Sequence, residues 1–270
     1  MMRAVVDEIE VLRGGVANAG AVVRVGDDVL RPAPSNSVTI HRLLRYLRRN
    51  GVSVAPEPKS LDDGRERLGF IPGEVPIPPY PEWAQSDDTL TSIARVIRSF
   101  HDASRGFAHD DADTWSTEMS DDQPGGPVVC HNDVCLENVV FREGVAVALL
   151  DFDFAAPGRP GHDLGCFARM CVPVDDDVSR GNLGWNVGHL PDRLRLVADV
   201  YGCTSEDRRQ IIATLDREIA SGGEFVRRHA EAGEPGFVEM WAAIGGMERF
   251  DRRREWWARH RDDFVTTMRP

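Results

Sequence analysis

Residues 72–81 contain five prolines in ten positions, and this stretch limits how the whole chain can fold. Proline fixes φ and lacks a backbone N–H, so neither the interior of a helix nor a central strand can run through such a segment. We therefore predict that it separates two parts of the fold. The first part comprises residues 1–72 and the second comprises residues 73–270.

The first part has the pattern of a small sheet with one helix. Residues 21–25 alternate in polarity and are followed by a turn and a second short strand at 29–31, which predicts a hairpin. Residues 52–55 and 68–71 are predicted to form further strands. A helix is predicted from Ser37, as its N-cap, to the Asn-Gly pair at residues 50–51. Its apolar residues recur at helical spacing at Ile40, Leu43, Leu44 and Leu47.

The second part has a mainly helical pattern. A helix is predicted to begin near Asp87 or Asp88, and residues 104–127 are polar and rich in acids, Gly and Pro, which predicts a loop. Two short apolar segments follow, at 128–140 and 145–150. From about Pro191 to the end we predict about three helices, with a break at Gly222-Gly223. A sheet-rich part followed by a helical part is typical of the α+β class.

Composition narrows the cellular setting. The chain has 270 residues and a formal net charge of −12, which disfavours nucleic acid as a partner. It contains no apolar run long enough for a membrane span, and its acidic N-terminus does not have the pattern of a secretion signal. Its five cysteines form no C-x-x-C pair, which argues against a zinc site or a disulfide framework. We expect a cytoplasmic protein that binds neither nucleic acid nor membrane.

A set of polar residues in a characteristic order suggests phosphoryl transfer. His131-Asn132-Asp133 is followed by Asn138 and, after an apolar hairpin, by Asp151. This reaction needs a group that accepts the proton of the attacking hydroxyl, and Mg²⁺ to offset the charge of the phosphates. Carboxylate and amide oxygens are the ligands that Mg²⁺ prefers. We predict Asp133 as the catalytic residue and Asn138 and Asp151 as the metal ligands.

These motifs resemble a known family. His131-Asn132-Asp133 with Asn138, then Leu150-Asp151-Phe152-Asp153, and then Gly161-His162-Asp163-Leu164 are similar to the signature of aminoglycoside phosphotransferases and choline kinases. The resemblance implies a two-lobed protein-kinase-like fold: a small N-terminal β-sheet lobe with one helix and a larger, mainly helical C-terminal lobe. It also implies ATP or GTP with Mg²⁺ as cofactor, and supporting roles for His131 and Asp163 in the catalytic loop. No Ala-Pro-Glu segment follows, which disfavours a protein kinase proper.

The nucleotide-binding lobe departs from the pattern of this family. The predicted nucleotide contacts are Gly14, Gly15, Arg31, Phe70 and Ile71. The family pattern has a Lys at the position of Arg31, and a Glu to pair with it in the following helix, but residues 37–50 contain no acid. If Arg31 binds phosphate, it needs a carboxylate from elsewhere or is held by phosphate alone. The alternative is that Arg31 is a surface residue of an edge strand.

The function predicted from these residues is transfer of the γ-phosphate of ATP or GTP to a hydroxyl of a small molecule. Phe250, Trp256 and Trp257 lie among acids near the C-terminus, which suggests an amine-bearing acceptor, either an aminoglycoside-like antibiotic or a metabolite. Alternatively, these aromatic residues are core. Because of Arg31 and the missing Glu, the second candidate function is that of a degenerate kinase-fold protein that binds nucleotide in a regulatory role.

Overall fold

The computed structural model describes residues 9–12, 20–123 and 125–269. Its N-terminal lobe is an antiparallel sheet of five strands in the order β1-β2-β3-β5-β4. The strands are β1 (Ile9–Val11), β2 (Val23–Val25), β3 (Asp28–Pro32), β4 (Pro58–Asp62) and β5 (Arg65–Gly69). Strands β2 and β3 form the predicted hairpin. Strand β3, which carries Arg31, lies in the middle of the sheet between β2 and β5.

Helix α1 (Ser37–Arg49) packs against this sheet. It buries its predicted apolar stripe and ends at Asn50, where the sequence predicts its end. The predicted strand at residues 52–55 is wrong, because this segment has no regular secondary structure and the next strand is β4. The carbonyl of Val54 instead accepts a hydrogen bond from the backbone N–H of Leu149, at 2.9 Å. Its alternating apolar residues thus reflect packing against the second lobe and not pairing within the sheet.

The proline-dense stretch contains neither a helix nor a regular strand. Glu74 and Phe141 exchange two backbone hydrogen bonds of 2.8 Å, which attach this stretch to the C-terminal lobe. A short 3₁₀ turn (Glu82–Gln85) follows, and helix α2 (Asp87–Ser104) begins directly after it. The helix begins at Asp87, as predicted, and its N-cap is Ser86, whose side chain accepts a hydrogen bond from the N–H of Thr89.

The C-terminal lobe surrounds α2. Two small antiparallel ribbons, β6 with β9 and β7 with β8, lie beside it. The ribbon strands are β6 (Val128–Cys130), β7 (Val139–Arg142), β8 (Val145–Leu149) and β9 (Ala156–Gly158). The helices are α3 (Pro160–Cys171), α4 (Asp177–Asn182), α5 (Leu190–Tyr201), α6 (Ser205–Glu231), α7 (Pro235–Ala243) and α8 (Met247–Thr267). None of the helices described is both long enough and apolar enough to cross a membrane.

The predicted helix break at Gly222-Gly223 is wrong. Helix α6 runs through both glycines, and four helices occupy the region where about three are predicted. A Cβ at Gly223 would lie 2.7 Å from Cγ of Phe250 in α8. Glycine stands there because two helices approach closely, a reason that the local sequence does not reveal.

Candidate functional site

A short loop after β6 carries the predicted catalytic residue. The loop leads into a 3₁₀ turn (Leu136–Asn138), and the β7–β8 hairpin then returns the chain so that the N–H of Leu150 donates to the carbonyl of Asn138 at 2.8 Å. The Nδ2 of Asn138 donates to Oδ2 of Asp133 at 3.0 Å and to its carbonyl at 2.9 Å. The fold therefore brings Asp133, Asn138 and the segment that begins with Asp151 together.

A buried carboxylate anchors this loop. Asp163, in the first turn of α3, accepts the N–H of His131 at 2.9 Å and the N–H of Asn132 at 2.7 Å. It also bonds to Nε2 of His101 at 2.9 Å, and the other ring nitrogen of His101 contacts the hydroxyl of Tyr201 at 2.7 Å. Burial opposes ionisation of Asp163, but its hydrogen bonds outweigh that effect and hold its pKa at about 2. Motif spacing pointed to Asp163, whereas His101 and Tyr201 carry no sequence signal.

His131 is fully buried, and both of its ring nitrogens have partners. Its Nε2 lies 2.8 Å from the carbonyl of Leu150, so this nitrogen carries the proton and donates. Its Nδ1 then accepts the N–H of Asp133 at 3.3 Å. Burial lowers the pKa of His131. A histidine with both nitrogens engaged in this way braces the loop and has no free lone pair to offer a substrate.

The next residue, Asn132, adopts a left-handed conformation with φ of 68°. Asn tolerates this region better than most residues do. Its Nδ2 donates to the carbonyl of Phe154 at 2.8 Å, which ties the loop to the segment that follows the metal-ligand candidate. Asp151 is also left-handed, with φ of 61°. Two left-handed residues in one site mark a constrained backbone.

The carboxylates of the site differ in their acidity. Burial, together with the charge of Asp151, raises the pKa of Asp133 to about 7. Burial acts on Asp151 in the same direction, but the charge and hydrogen bond of Arg31 outweigh it and lower the pKa of Asp151. Burial and the charge of Asp151 raise the pKa of Asp153 to about 7. Crowding of like charges thus weakens the acidity of Asp133 and Asp153, while contact with a cation favours the ionised form of Asp151.

That cation is Arg31, which lies on β3 and is only 8% exposed. Its Nη1 donates to Oδ1 of Asp151 at 2.8 Å, and its Nη2 donates to Oδ1 of Asp153 at 2.5 Å. Its Nε donates to Oε1 of Glu66 at 2.5 Å. The guanidinium therefore faces the segment that carries Asp151 and Asp153 and not bulk solvent. The carboxylate from elsewhere that the sequence requires is Glu66 of β5.

Glu66 is the functional candidate that sequence reasoning missed. It is 2% exposed and lies directly opposite Arg31 in the β3–β5 register. Its second oxygen, Oε2, lies 2.9 Å from Nε2 of His41 in α1, which is fully buried. The acid that pairs with Arg31 thus comes from the sheet, and α1 contributes a His that contacts this acid. Only the strand register could have identified it, since β5 has charged residues on both sides of Glu66.

The other predicted nucleotide contacts are less informative. Gly14 and Gly15 lie outside the described residues. Phe70 and Ile71 follow β5 and are partly exposed. The N–H of Phe70 donates to the carbonyl of Asp27 at 2.8 Å, and the guanidinium of Arg24 lies 3.8 Å from the centre of its ring. Their contact with nucleotide stays a prediction.

The donor set fits the predicted metal. The Nδ2 of Asn138 is engaged with Asp133, which leaves its amide oxygen for a ligand. Asp151 and Asp153 add carboxylate oxygens, and an all-oxygen set suits Mg²⁺. His101, Cys130 and Asp163 also come within metal-binding distance of one another. Both nitrogens of His101 already have protein partners there, so hydrogen bonding accounts for this second cluster.

The C-terminal aromatic residues are core. Phe250, Trp256 and Trp257 are 3%, 6% and 5% exposed, and Nε1 of Trp257 donates to Asp216 at 2.8 Å. They therefore do not present open faces to a cationic acceptor. A small cavity between α4 and α8 touches Trp256, but Asp133 is not among the residues that line it.

Comparisons with known proteins agree with this geometry. The profile of the Phosphotransferase enzyme family (APH) matches residues 108–197, the segment that contains the catalytic loop, Asp151 and Asp163. The chain is 31% identical over 215 residues to the trifolitoxin immunity protein of Rhizobium leguminosarum bv. trifolii, covering 77% of this chain and 79% of the relative. The chain belongs to the APH phosphotransferase family.

Solved structures of APH-family type share the fold at low identity. A choline/ethanolamine kinase family protein from Mesorhizobium loti is 13% identical, with a TM-score of 0.60 over 97% of this chain and 91% of that one. The ADP-bound aminoglycoside phosphotransferase APH(2″)-Ib is 14% identical, with a TM-score of 0.54 over 97% and 95%. The predicted two-lobed protein-kinase-like fold is confirmed.

Proposed function

We propose that this APH-family protein transfers the γ-phosphate of ATP or GTP to a hydroxyl group of a small molecule. The observation that carries the proposal is the arrangement of Asp133 beside Asn138 and Asp151, held by a buried hydrogen-bond network. The ADP-bound relative adds that a protein of this fold holds a nucleotide. The domain division follows from the same proposal, with residues 1–72 as the nucleotide-binding lobe and residues 73–270 as the catalytic lobe.

Asp133 is the proposed acceptor of the proton from the attacking hydroxyl. Asn138 holds its Oδ2, which orients the carboxylate and leaves Oδ1 for the substrate. A pKa raised to about 7 by burial and by Asp151 suits proton transfer near neutral pH, because a base works best when its pKa is close to the operating pH. Asn138 and Asp151 would hold Mg²⁺, which, when bound, offsets the negative charge of the phosphates.

The proposed acceptor is a small amine-bearing compound, either an aminoglycoside-like antibiotic or a metabolite. The support now comes from the catalytic loop, since the C-terminal tryptophans are buried. Oε1 of Glu137 accepts the hydroxyl of Tyr80 at 2.9 Å, and its Oε2 is buried with no partner among the described residues. The charge of Glu137 also contributes to the raised pKa of Asp133. The negative charges of Glu137, Asp151 and Asp153 would attract a cationic, amine-bearing acceptor to the site.

The test is nucleotide consumption, with ATP and GTP, against aminoglycosides, choline, ethanolamine and amino sugars. We expect Asp133→Asn to abolish transfer to the acceptor that the wild type uses, with nucleotide affinity little changed, because Asp133 acts on the hydroxyl and not on the triphosphate. Turnover within about tenfold of wild type, about 1.4 kcal/mol of barrier, would exclude Asp133 as the catalytic residue. A wild type that binds nucleotide but phosphorylates none of these compounds would favour the regulatory alternative.

A further inference from the structure

The guanidinium of Arg31 has two edges in different environments. Its Nε edge contacts Glu66, which is 2% exposed and is backed by the fully buried His41. Its Nη edge contacts Asp151 and Asp153, whose side chains are 29% and 21% exposed. The contact of Nε with Glu66 is therefore sealed from water, and the contacts of the Nη groups with Asp151 and Asp153 are partly open to it.

These environments make one contact permanent and the other exchangeable. Separation of Arg31 from Glu66 would leave a charged carboxylate buried beside His41, which is strongly unfavourable. Movement of the Nη groups away from Asp151 and Asp153 would leave carboxylates that water can partly reach, so it is less unfavourable than separation from Glu66. The oxygens of an incoming diphosphate can accept the same Nη–H groups that the carboxylates of Asp151 and Asp153 now accept.

We propose that Glu66 is the positioning residue of a phosphate-binding Arg31, holding its Nε edge so that its Nη edge alternates between the two carboxylates and the phosphates of a nucleotide. His41 completes the arrangement by holding the second oxygen of Glu66. The inference rests on the proposed nucleotide-dependent function. It adds the two residues that would hold Arg31 in position to bind phosphate. Glu66 would thus act through Arg31 and would not touch the nucleotide itself.

Calorimetric titration with Mg-ADP and Mg-GDP tests this arrangement. We expect Arg31→Ala and Glu66→Ala each to weaken binding of whichever diphosphate the wild type prefers by about tenfold. Affinity for the corresponding nucleoside, which has no phosphate, should be unchanged. Glu66→Gln keeps one acceptor for the Nε of Arg31 and should show a smaller loss. It also gives a folded variant if Glu66→Ala proves unstable.

The combination of variants separates positioning from general destabilisation. In the Arg31→Ala background, Glu66→Gln should change diphosphate affinity less than twofold, since the group that it positions is gone. Arg67→Ala is the matched control, because Arg67 is adjacent in β5 but is exposed and pairs with Asp28. It should bind diphosphate as the wild type does.

Three outcomes would overturn the inference. The first is that both Glu66 variants bind diphosphate with wild-type affinity. The second is that the losses of diphosphate affinity from the Arg31 and Glu66 changes multiply in the double variant. The third is that a variant loses affinity for diphosphate and for nucleoside equally. The proposed phosphotransferase function fails separately, if the wild type binds diphosphate but phosphorylates no acceptor. A wild type that binds neither diphosphate would overturn both proposals.

Discussion

Replacement of Asp163 by Asn should destabilise the protein strongly, although it only replaces one carboxylate oxygen by an NH₂ group. The carboxylate is fully buried and accepts three donors, the N–H groups of His131 and Asn132 and Nε2 of His101. An Asn has one acceptor oxygen, so its NH₂ would face at least one of these donors. Loss of charge-assisted bonds and a buried unpaired donor together should lower the free energy of unfolding by about 3–5 kcal/mol.

Thermal and urea unfolding of both proteins would measure this loss, with an expected decrease in Tm on the order of 10 °C. The matched control is Asp216→Asn. Asp216 also accepts three donors, from Trp257 and Arg261, but its side chain is 37% exposed. Water can replace those bonds, so we expect a loss below about 1 kcal/mol. Equal losses in the two variants would refute the argument from burial.

The same anchor makes a prediction about pH. The pKa of Asp163 is about 2 in the folded protein, against the ordinary value of 3.8 for an Asp side chain. Because the folded pKa is the lower one, the unfolded chain binds more protons between these values, and stability falls as pH falls through this window. A shift of this size corresponds to about 2 kcal/mol. The difference in unfolding free energy between wild type and Asp163→Asn should therefore decrease by that amount from pH 5 to pH 2, and a constant difference would contradict the assignment.

Two further changes test the metal ligands and the packing of the catalytic lobe. Asp151→Ala should weaken Mg²⁺-dependent nucleotide binding, and calorimetry that gives wild-type affinity with and without Mg²⁺ would remove Asp151 from the site. Gly165→Ala should lower the free energy of unfolding by about 1–3 kcal/mol, because the added Cβ would lie 2.5 Å from Cβ of Thr214 where α3 crosses α6. Gly181→Ala, where nothing lies near the added Cβ, is its control in thermal unfolding.

Strong local signals in the sequence predicted the fold well. Five prolines in ten residues exclude regular structure whatever the context, and the apolar stripe of α1 has no alternative but a helix face. Predictions failed where a long-range contact decides the local structure. The apolar residues at 52–55 pack beside Leu149 without forming a strand, and Gly222-Gly223 lies within α6 because Phe250 approaches it.

Much the same division applies to the site. Asp133, Asn138, Asp151 and Asp163 belong to motifs whose spacing reflects one loop and one hairpin, so the sequence identifies them. Glu66 belongs to no motif, and it reaches the site only through the pairing of β3 with β5. The register of non-consecutive strands is set by turns and packing throughout the lobe, which a local pattern does not contain.

The two departures of the N-terminal lobe from the family pattern are best understood as one change. A lysine carries its charge on a single nitrogen. In the family pattern this nitrogen pairs with the carboxylate of a Glu in the following helix. Here the acid lies beside the cation, directly across the strands, and the cleft carboxylates lie in front of it. Only a guanidinium has separate donors in both directions, with Nε toward Glu66 and the Nη groups toward Asp151 and Asp153. Arg31 on β3 therefore has its acid in the sheet and not in α1, and α1 contributes His41, which contacts the second oxygen of that acid.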